Sequence, residues 1–195
     1  LRIVQLLLSK NDIDVNSKNI SIIYEKDIND DFNIQTERLE YTALNNAILN
    51  KNIEIIKLLL SRNDIDVNSL QIRYFSSDNN ENENIWDELT IETALSVAVK
   101  NNLPEIVELL LSKSDIDVNI MLLYKHTDYK EDNIEPLTCY LTALHYAVFA
   151  ENIEIIKILL KNKNLNINIE IGNGKKPIDL TNNEKIKELF KNYKS

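Results

Sequence analysis

One arrangement of apolar and polar positions occurs three times along the chain, at residues 42–68, 93–119 and 142–168. The first half of each copy spaces apolar residues at i, i+3 and i+4, as from Leu44 onward, which predicts a helix with one apolar face. The second half is apolar on nearly every side and therefore predicts a helix that its neighbours cover. Stacked copies provide this cover, so the pattern predicts a solenoid of helix pairs.

Short motifs inside these copies resemble the signatures of ankyrin repeats. Residues 142–147 read TALHYA, close to the family signature T-P-L-H-x-A, and looser versions begin at Thr42 and Thr93. Residues 105–111 read EIVELLL, and the units end in D-V-N, at residues 14–16, 66–68 and 117–119. The resemblance implies antiparallel helix pairs joined by turns, in a family that usually binds proteins through a concave surface.

The position between the two helices, where the family carries glycine, holds other residues in this chain. They are Lys51, Asn102 and Glu151. Glycine adopts positive φ freely, whereas lysine and glutamate do so at a cost. We therefore expect a slightly altered turn between the helices and no change of fold.

Three of the connections between copies are long, covering residues 17–41, 69–92 and 120–141, whereas the last, after residue 168, is short. Each long connection reads as a strand-like run, a polar turn and a second run, which predicts a β-hairpin arm. Two strands span roughly 9.5 Å, close to the about 8–10 Å between packed helix layers. We therefore expect neighbouring arms to join in one antiparallel sheet, with Pro136 at a bulge or ladder end.

The predicted fold class is mainly α, as one ankyrin-repeat solenoid domain over residues 1–195 with three long β-hairpin arms. A partial first repeat at residues 1–16 precedes the first arm, and residues 169–195 form a short turn and a capping repeat. Thr181 and Glu184 have the spacing of a capping box, followed by a polar outer face suited to an end repeat. The N-terminal end shows no such face, so we expect a fragment of a longer protein.

Negative charge is concentrated in the arms, which hold 16 Asp and Glu against 6 Lys and Arg, while the whole chain carries −9. An acidic surface disfavours nucleic-acid backbones and anionic lipids, and it suits a protein partner with a basic surface. The mean hydropathy of −0.27 predicts no membrane span. The single cysteine, Cys139, and the absence of a signal-like start predict a reducing, cytoplasmic location.

Two groups of residues are candidates for contact with a partner. The arms contribute aromatic residues, namely Tyr24, Tyr74, Phe75, Trp86, Tyr124 and Tyr129. The first helices contribute, by position in the family's concave surface, Asn45, Asn46, Ser96, Val97, His145 and Tyr146. The aromatic residues have two interpretations, as cross-strand pairs that hold a narrow sheet or as interface anchors, and the sequence leaves both open.

No set of residues in the sequence predicts catalysis, a cofactor or a metal site. Gly172 and Gly174 are the only glycines, so no phosphate-binding loop is expected, and His126 lacks a second ligand at metal-site spacing. The resemblance assigns His145 a structural hydrogen bond between adjacent repeats. The predicted function is a non-catalytic protein-interaction scaffold. The alternative is a spacer or oligomerisation segment of a larger protein, and the partner's identity and the oligomeric state stay open.

Overall fold

The computed structural model describes residues 2–10, 12–26, 33–79, 86–128 and 137–193, and within them helices and strands alternate in pairs. The helices are α1 (Arg2–Leu8), α2 (Ala43–Leu49), α3 (Ile53–Leu60), α4 (Ala94–Lys100), α5 (Pro104–Leu111), α6 (Ala143–Phe149), α7 (Ile153–Leu159), a 3-10 helix (Pro177–Leu180) and α8 (Glu184–Lys191). The strands are β1 (Asn19–Lys26), β2 (Asn33–Tyr41), β3 (Leu70–Asn79), β4 (Trp86–Thr93), β5 (Leu122–Asp128) and β6 (Leu137–Leu141).

The helices stack in two layers, as the apolar pattern predicts. The inner layer is α2, α4 and α6, and the outer layer is α3, α5 and α7. Leu44, Leu95 and Leu144 occupy the same position in successive inner helices, and each is at most 1% exposed. Each buried side chain of this size stabilises the fold by about 1.5–3 kcal/mol. The core is therefore one continuous strip along the stack, as expected for a solenoid.

The turn between the helices of each repeat keeps a left-handed residue, although no glycine is present. The φ angles are 53° at Lys51, 54° at Asn102 and 51° at Glu151. The expected alteration of the turn is not seen at this residue, because the backbone adopts the conformation that glycine would take. In the first turn, Asn52 N–H then donates to the Ala47 carbonyl at 2.9 Å, which closes the helix end.

The three arms join in one six-stranded sheet, in the order β1-β2-β3-β4-β5-β6 with every pair antiparallel. This confirms the predicted edge-to-edge pairing of the arms. A description as mainly α is incomplete, because the sheet is a second structural layer beside the helix stack. The tips of the arms and Pro136 lie outside the described residues, so the prediction for Pro136 stays a prediction.

The register of the sheet determines which side chains share a face. Phe75 pairs with Glu37 on one side and with Glu88 on the other, and Glu88 pairs in turn with His126. Alternate residues of a strand lie on opposite faces, so the neighbouring Tyr74 lies on the opposite face from Phe75. We name the face of Glu37 and Phe75 the inner face, since its other members lie against the inner helices, and the opposite one the outer face.

The C-terminal repeat begins its helix differently from the prediction. The N-cap of α8 is Asn183, whose side chain accepts from Lys185 N–H at 3.1 Å. The predicted capping box of Thr181 and Glu184 is wrong, because the helix begins at Glu184 itself and the Thr181 hydroxyl accepts from Asn183 N–H at 3.0 Å. The same hydroxyl donates to the Glu151 carboxylate at 2.8 Å. This contact ties the last repeat to the turn of the repeat before it.

Candidate functional site

A groove lies between the inner face of the sheet and the inner helices. Its helix side is formed by the last residue of each inner helix, which is Leu49, Lys100 and Phe149. These three residues occupy one position of the 27-residue unit, so the repeat places them in a row. They are not among the candidates predicted from the sequence, although their common position in the repeat is a signal that could have identified them.

The first part of the groove is a polar cavity of about 330 Å³ beside α2 and α4. Two ion pairs line it. Arg73 Nε donates to Glu37 Oε1 at 2.7 Å, and Lys100 Nζ lies 3.1 Å from Glu92 Oε1. The Glu92 side chain is only 8% exposed and also accepts from Gln71 Nε2 at 3.3 Å. The Glu92 carboxylate is therefore buried with its charge compensated, as buried charges require.

The second part of the groove is an apolar cavity of about 380 Å³ beside α6. Its lining residues are Tyr124, Leu137, Cys139, Leu141, Tyr146, Phe149, Ile171 and Leu180, with Lys100 at the border with the polar cavity. Phe149 is 76% exposed and Leu137 is 58% exposed, so two large apolar side chains face solvent at its mouth. Exposed apolar side chains that lie together, in contrast to single scattered ones, are typical of binding surfaces.

Tyr146 and Tyr124 stay neutral in this groove. Burial, reinforced by the Glu92 carboxylate, raises the pKa of Tyr146 to about 12. Burial also raises the pKa of Tyr124, and the neighbouring Glu88 acts in the same direction. Lys100 Nζ lies 5.7 Å from the centre of the Tyr146 ring, which places a cation over an aromatic face. Both phenols are suited to packing and hydrogen bonding, not to proton abstraction at neutral pH.

The arm aromatics do not form one surface. Phe75 and Tyr124 lie on the inner face, whereas Tyr74 lies on the outer face, where its pKa is raised first by burial. For Tyr24 and Trp86 the structure gives the backbone pairing alone, with Thr36 for Tyr24 and with Ser77 and Asp128 for Trp86. Tyr129 lies outside the described residues.

Four of the six candidates in the inner helices are buried. Asn45, Ser96 and His145 are at most 1% exposed, and so is Val97. Their side chains are inaccessible to a partner, which corrects the expectation that the whole set faces the concave surface. Asn46 is exposed but does not line the groove. Tyr146 is partly exposed and lines the apolar part, and the buried Val97 borders the polar part.

The buried polar candidates cap the helices instead. In each inner helix the N-cap threonine accepts from the N–H three residues on, and the side chain at that position accepts from the threonine N–H. The Thr142 N–H to His145 Nδ1 distance is 3.2 Å. His145 Nδ1 therefore bonds within its own repeat, while the backbone of Ile169 and Lys175, in the connection to the next repeat, lies near the ring. Burial lowers its pKa, and the nearby backbone of Lys175 and Ile169 opposes this in part.

The described residues contain no group of three or more His, Cys, Asp or Glu side chains placed to hold a metal ion. Within the same residues, no helix is long and apolar enough to cross a membrane.

A comparison with family models matches ankyrin repeats, in three copies, over residues 1–121 and 72–172. The chain belongs to the ankyrin-repeat family. Members of this family are generally protein–protein interaction modules and typically non-catalytic. A search of curated proteins found no match.

Within this ankyrin-repeat protein, the long arms change the shape of the surface that the inner helices face. The sheet covers α2, α4 and α6 on one side and turns the surface into a groove with a polar and an apolar part. The inner face supplies one wall and the helix ends supply the other.

Proposed function

We propose that this chain is a non-catalytic scaffold that binds a protein partner in the groove between the inner face and the inner helices. The observation that carries the proposal is the apolar cavity beside α6, with Phe149 76% exposed at its mouth. Exposed apolar and aromatic side chains with a charged rim are the usual composition of binding hot spots. Phe75, Tyr124 and Tyr146 are kept as contact candidates.

The proposed partner carries a basic surface. The chain has a formal charge of −9, and Glu37 and Glu92 lie in the polar part of the groove. Complementary charge accelerates association, and salt screens it. Binding that weakens as salt rises from about 0.05 M to about 0.5 M supports this part of the proposal, and salt-independent binding contradicts it.

The test is capture of a partner from a cytoplasmic extract, which follows from the proposed intracellular location. Wild type and Phe149→Ser are compared with Ile3→Ser as a control. Ile3 is 74% exposed, close to the 76% of Phe149, but it lies on α1 away from the groove. We expect Phe149→Ser alone to lose the captured protein. Equal capture by all three proteins removes the groove from the interface.

The second candidate function, an oligomerisation or spacer segment, rests on α1. Ile3, Leu6 and Leu7 are 74%, 63% and 50% exposed, which leaves an apolar helix face uncovered by the described residues. Light scattering of wild type and Leu6→Lys separates the two functions. Oligomerisation is favoured if the wild type has a mass above that of the 22.6 kDa chain and Leu6→Lys returns it to the mass of a monomer. A monomer in both cases argues against oligomerisation.

A further inference from the structure

The open edge of β6 repeats a surface that is already used twice within the sheet. The second strand of the first arm, β2, pairs with β3, and the second strand of the next arm, β4, pairs with β5. β6 is the second strand of the third arm, and the described residues place no strand beyond it. The reason is the short last connection, where Ile171 N–H donates to the Lys175 carbonyl at 2.9 Å and closes a tight turn.

An apolar groove lies next to this edge. Leu137, Cys139 and Leu141 are alternate residues of β6, so they share the inner face, and all three line the apolar cavity. Ile171 and Leu180, which follow β6 in the chain, complete this lining.

We propose that an extended segment of a partner protein, with apolar side chains at alternate positions, adds to β6 as a seventh strand. This deepens the proposed function and rests on it. Main-chain hydrogen bonds along the edge bind the segment, while every second side chain enters the cavity beside Phe149. A strand in this position lies about 4.8 Å from β6, the usual distance between paired strands.

A second copy of this chain cannot continue the sheet by adding its β1 beside β6 in the geometry of the repeat. In the repeat, β1 of that copy is equivalent to β3 and β5, so it would be the strand that follows β6. The helix before this strand is α1 in the copy, and in the present chain that place is already taken by α7. Its α1 would then overlap α7, and its α2 would overlap the 3-10 helix, which packs against α6. The C-terminal repeat thus leaves room for a single extended segment and excludes a helix pair.

The test uses synthetic peptides of about eight residues, the usual length of a strand, that alternate threonine with leucine, valine or phenylalanine between terminal lysines. Binding to the full chain is measured by fluorescence anisotropy. Each peptide is compared with a version of the same sequence that is N-methylated at alternate amides. The methylation removes those backbone N–H donors and keeps the side chains. We expect saturable binding at or below about 1 mM by the unmethylated peptides and at least about tenfold weaker binding after methylation.

Four variants locate the bound peptide. Leu137→Lys and Phe149→Ser alter the β6 edge and the cavity, and we expect each to raise Kd at least about tenfold. Ile22→Lys adds the same charge to β1, and Ile3→Ser replaces an equally exposed apolar side chain on α1, outside the groove. We expect both controls to change Kd less than about twofold. Hydrogen exchange at residues 139–141 should slow when the peptide binds.

The proposal is overturned by absence of saturable binding for every peptide, by equal binding of methylated peptides, or by equal effects of the control variants. The extract experiment separates this failure from failure of the proposed function. A captured protein that Phe149→Ser loses and Leu137→Lys retains leaves the groove as a binding site and removes the strand addition. Absence of any captured protein removes the function itself.

Discussion

The residue that follows the N-cap threonine by three positions determines how each inner helix begins. Asn45, Ser96 and His145 occupy it, and all three accept a hydrogen bond from the backbone of their threonine. Asp179 does the same in the last repeat, where its Oδ2 lies 2.9 Å from Lys176 N. Four different side chains therefore satisfy one backbone donor, and only histidine makes this contact depend on pH near neutrality.

The variant His145→Asn should remove this pH dependence without removing the cap. Burial lowers the pKa of His145, so the unfolded chain binds the proton more readily than the folded chain. The contribution of His145 to the free energy of unfolding is therefore complete above the ordinary histidine pKa of about 6.5 and is lost as the pH falls below it. Asn45 already makes the same cap, with its Oδ1 3.1 Å from Thr42 N.

Urea unfolding between about pH 5 and about pH 8 is the measurement for this variant. We expect the free energy of unfolding to fall more steeply with acid in wild type than in His145→Asn. Parallel curves for the two proteins would show that His145 is not the group responsible.

The left-handed residue of the first full repeat gives a second prediction at this scale. Lys51 has φ 53°, which costs a side-chain-bearing residue about 1–2 kcal/mol, while glycine loses about 0.4–1 kcal/mol through the unfolded state. Lys51→Gly should therefore raise the free energy of unfolding by roughly 0.5–1 kcal/mol, measured by urea titration. Lys51→Ala keeps the Cβ and should change little. Equal effects of the two substitutions would contradict the explanation by backbone strain.

At the scale of elements, a row of asparagines joins successive repeats through their turns. Asn68 Nδ2 donates to the Asp115 carbonyl and its Oδ1 accepts from Asp117 N–H, both at 2.8 Å. Asn16 and Asn119 make the same pair of bonds to the repeats that follow them. The D-V-N endings visible in the sequence thus serve as connections between repeats, in addition to shaping the turn.

Asn68→Ala should lower the free energy of unfolding by about 1–2 kcal/mol, because two hydrogen bonds between repeats are lost. The matched control is Asn168→Ala, at the same position of the last complete unit, whose N–H bonds to Asn166 within its own turn. We expect the control to change stability by less than about 0.5 kcal/mol in urea titration. Similar losses in both variants would show that the asparagine acts within its turn and not between repeats.

The whole molecule combines two repeating layers that have to match in spacing. One arm per repeat supplies two strands, and the sheet runs without interruption because the width of two strands is close to the spacing of the helix layers. The middle arm is essential to this continuity, since β3 and β4 pair with β2 and β5 on either side.

Replacing residues 69–92 with the short connection of residues 169–175 should divide the sheet into two hairpins. Two-stranded sheets are marginally stable in water, and four exposed edges invite aggregation. We expect helix content by circular dichroism to be retained and the soluble fraction to fall. The control replaces residues 17–41, which leaves one four-stranded sheet with two edges. Equal solubility of the two variants would show that pairing between arms does not protect the protein.

The sequence by itself determined the repeat unit, the helix pairs, the hairpin arms and their joint sheet, because these depend on local periodicity and on spacings that recur. The tertiary structure decided which side chains reach a partner. Asn45 and His145 are polar, but the helix start uses them and neighbouring repeats bury them. Tyr74 and Phe75 are adjacent in one strand and so lie on opposite faces, but only the tertiary structure decides which of them shares the face that meets the inner helices. Phe149 and Leu137 meet at one cavity across the boundary between sheet and helix, and no local pattern contains that contact.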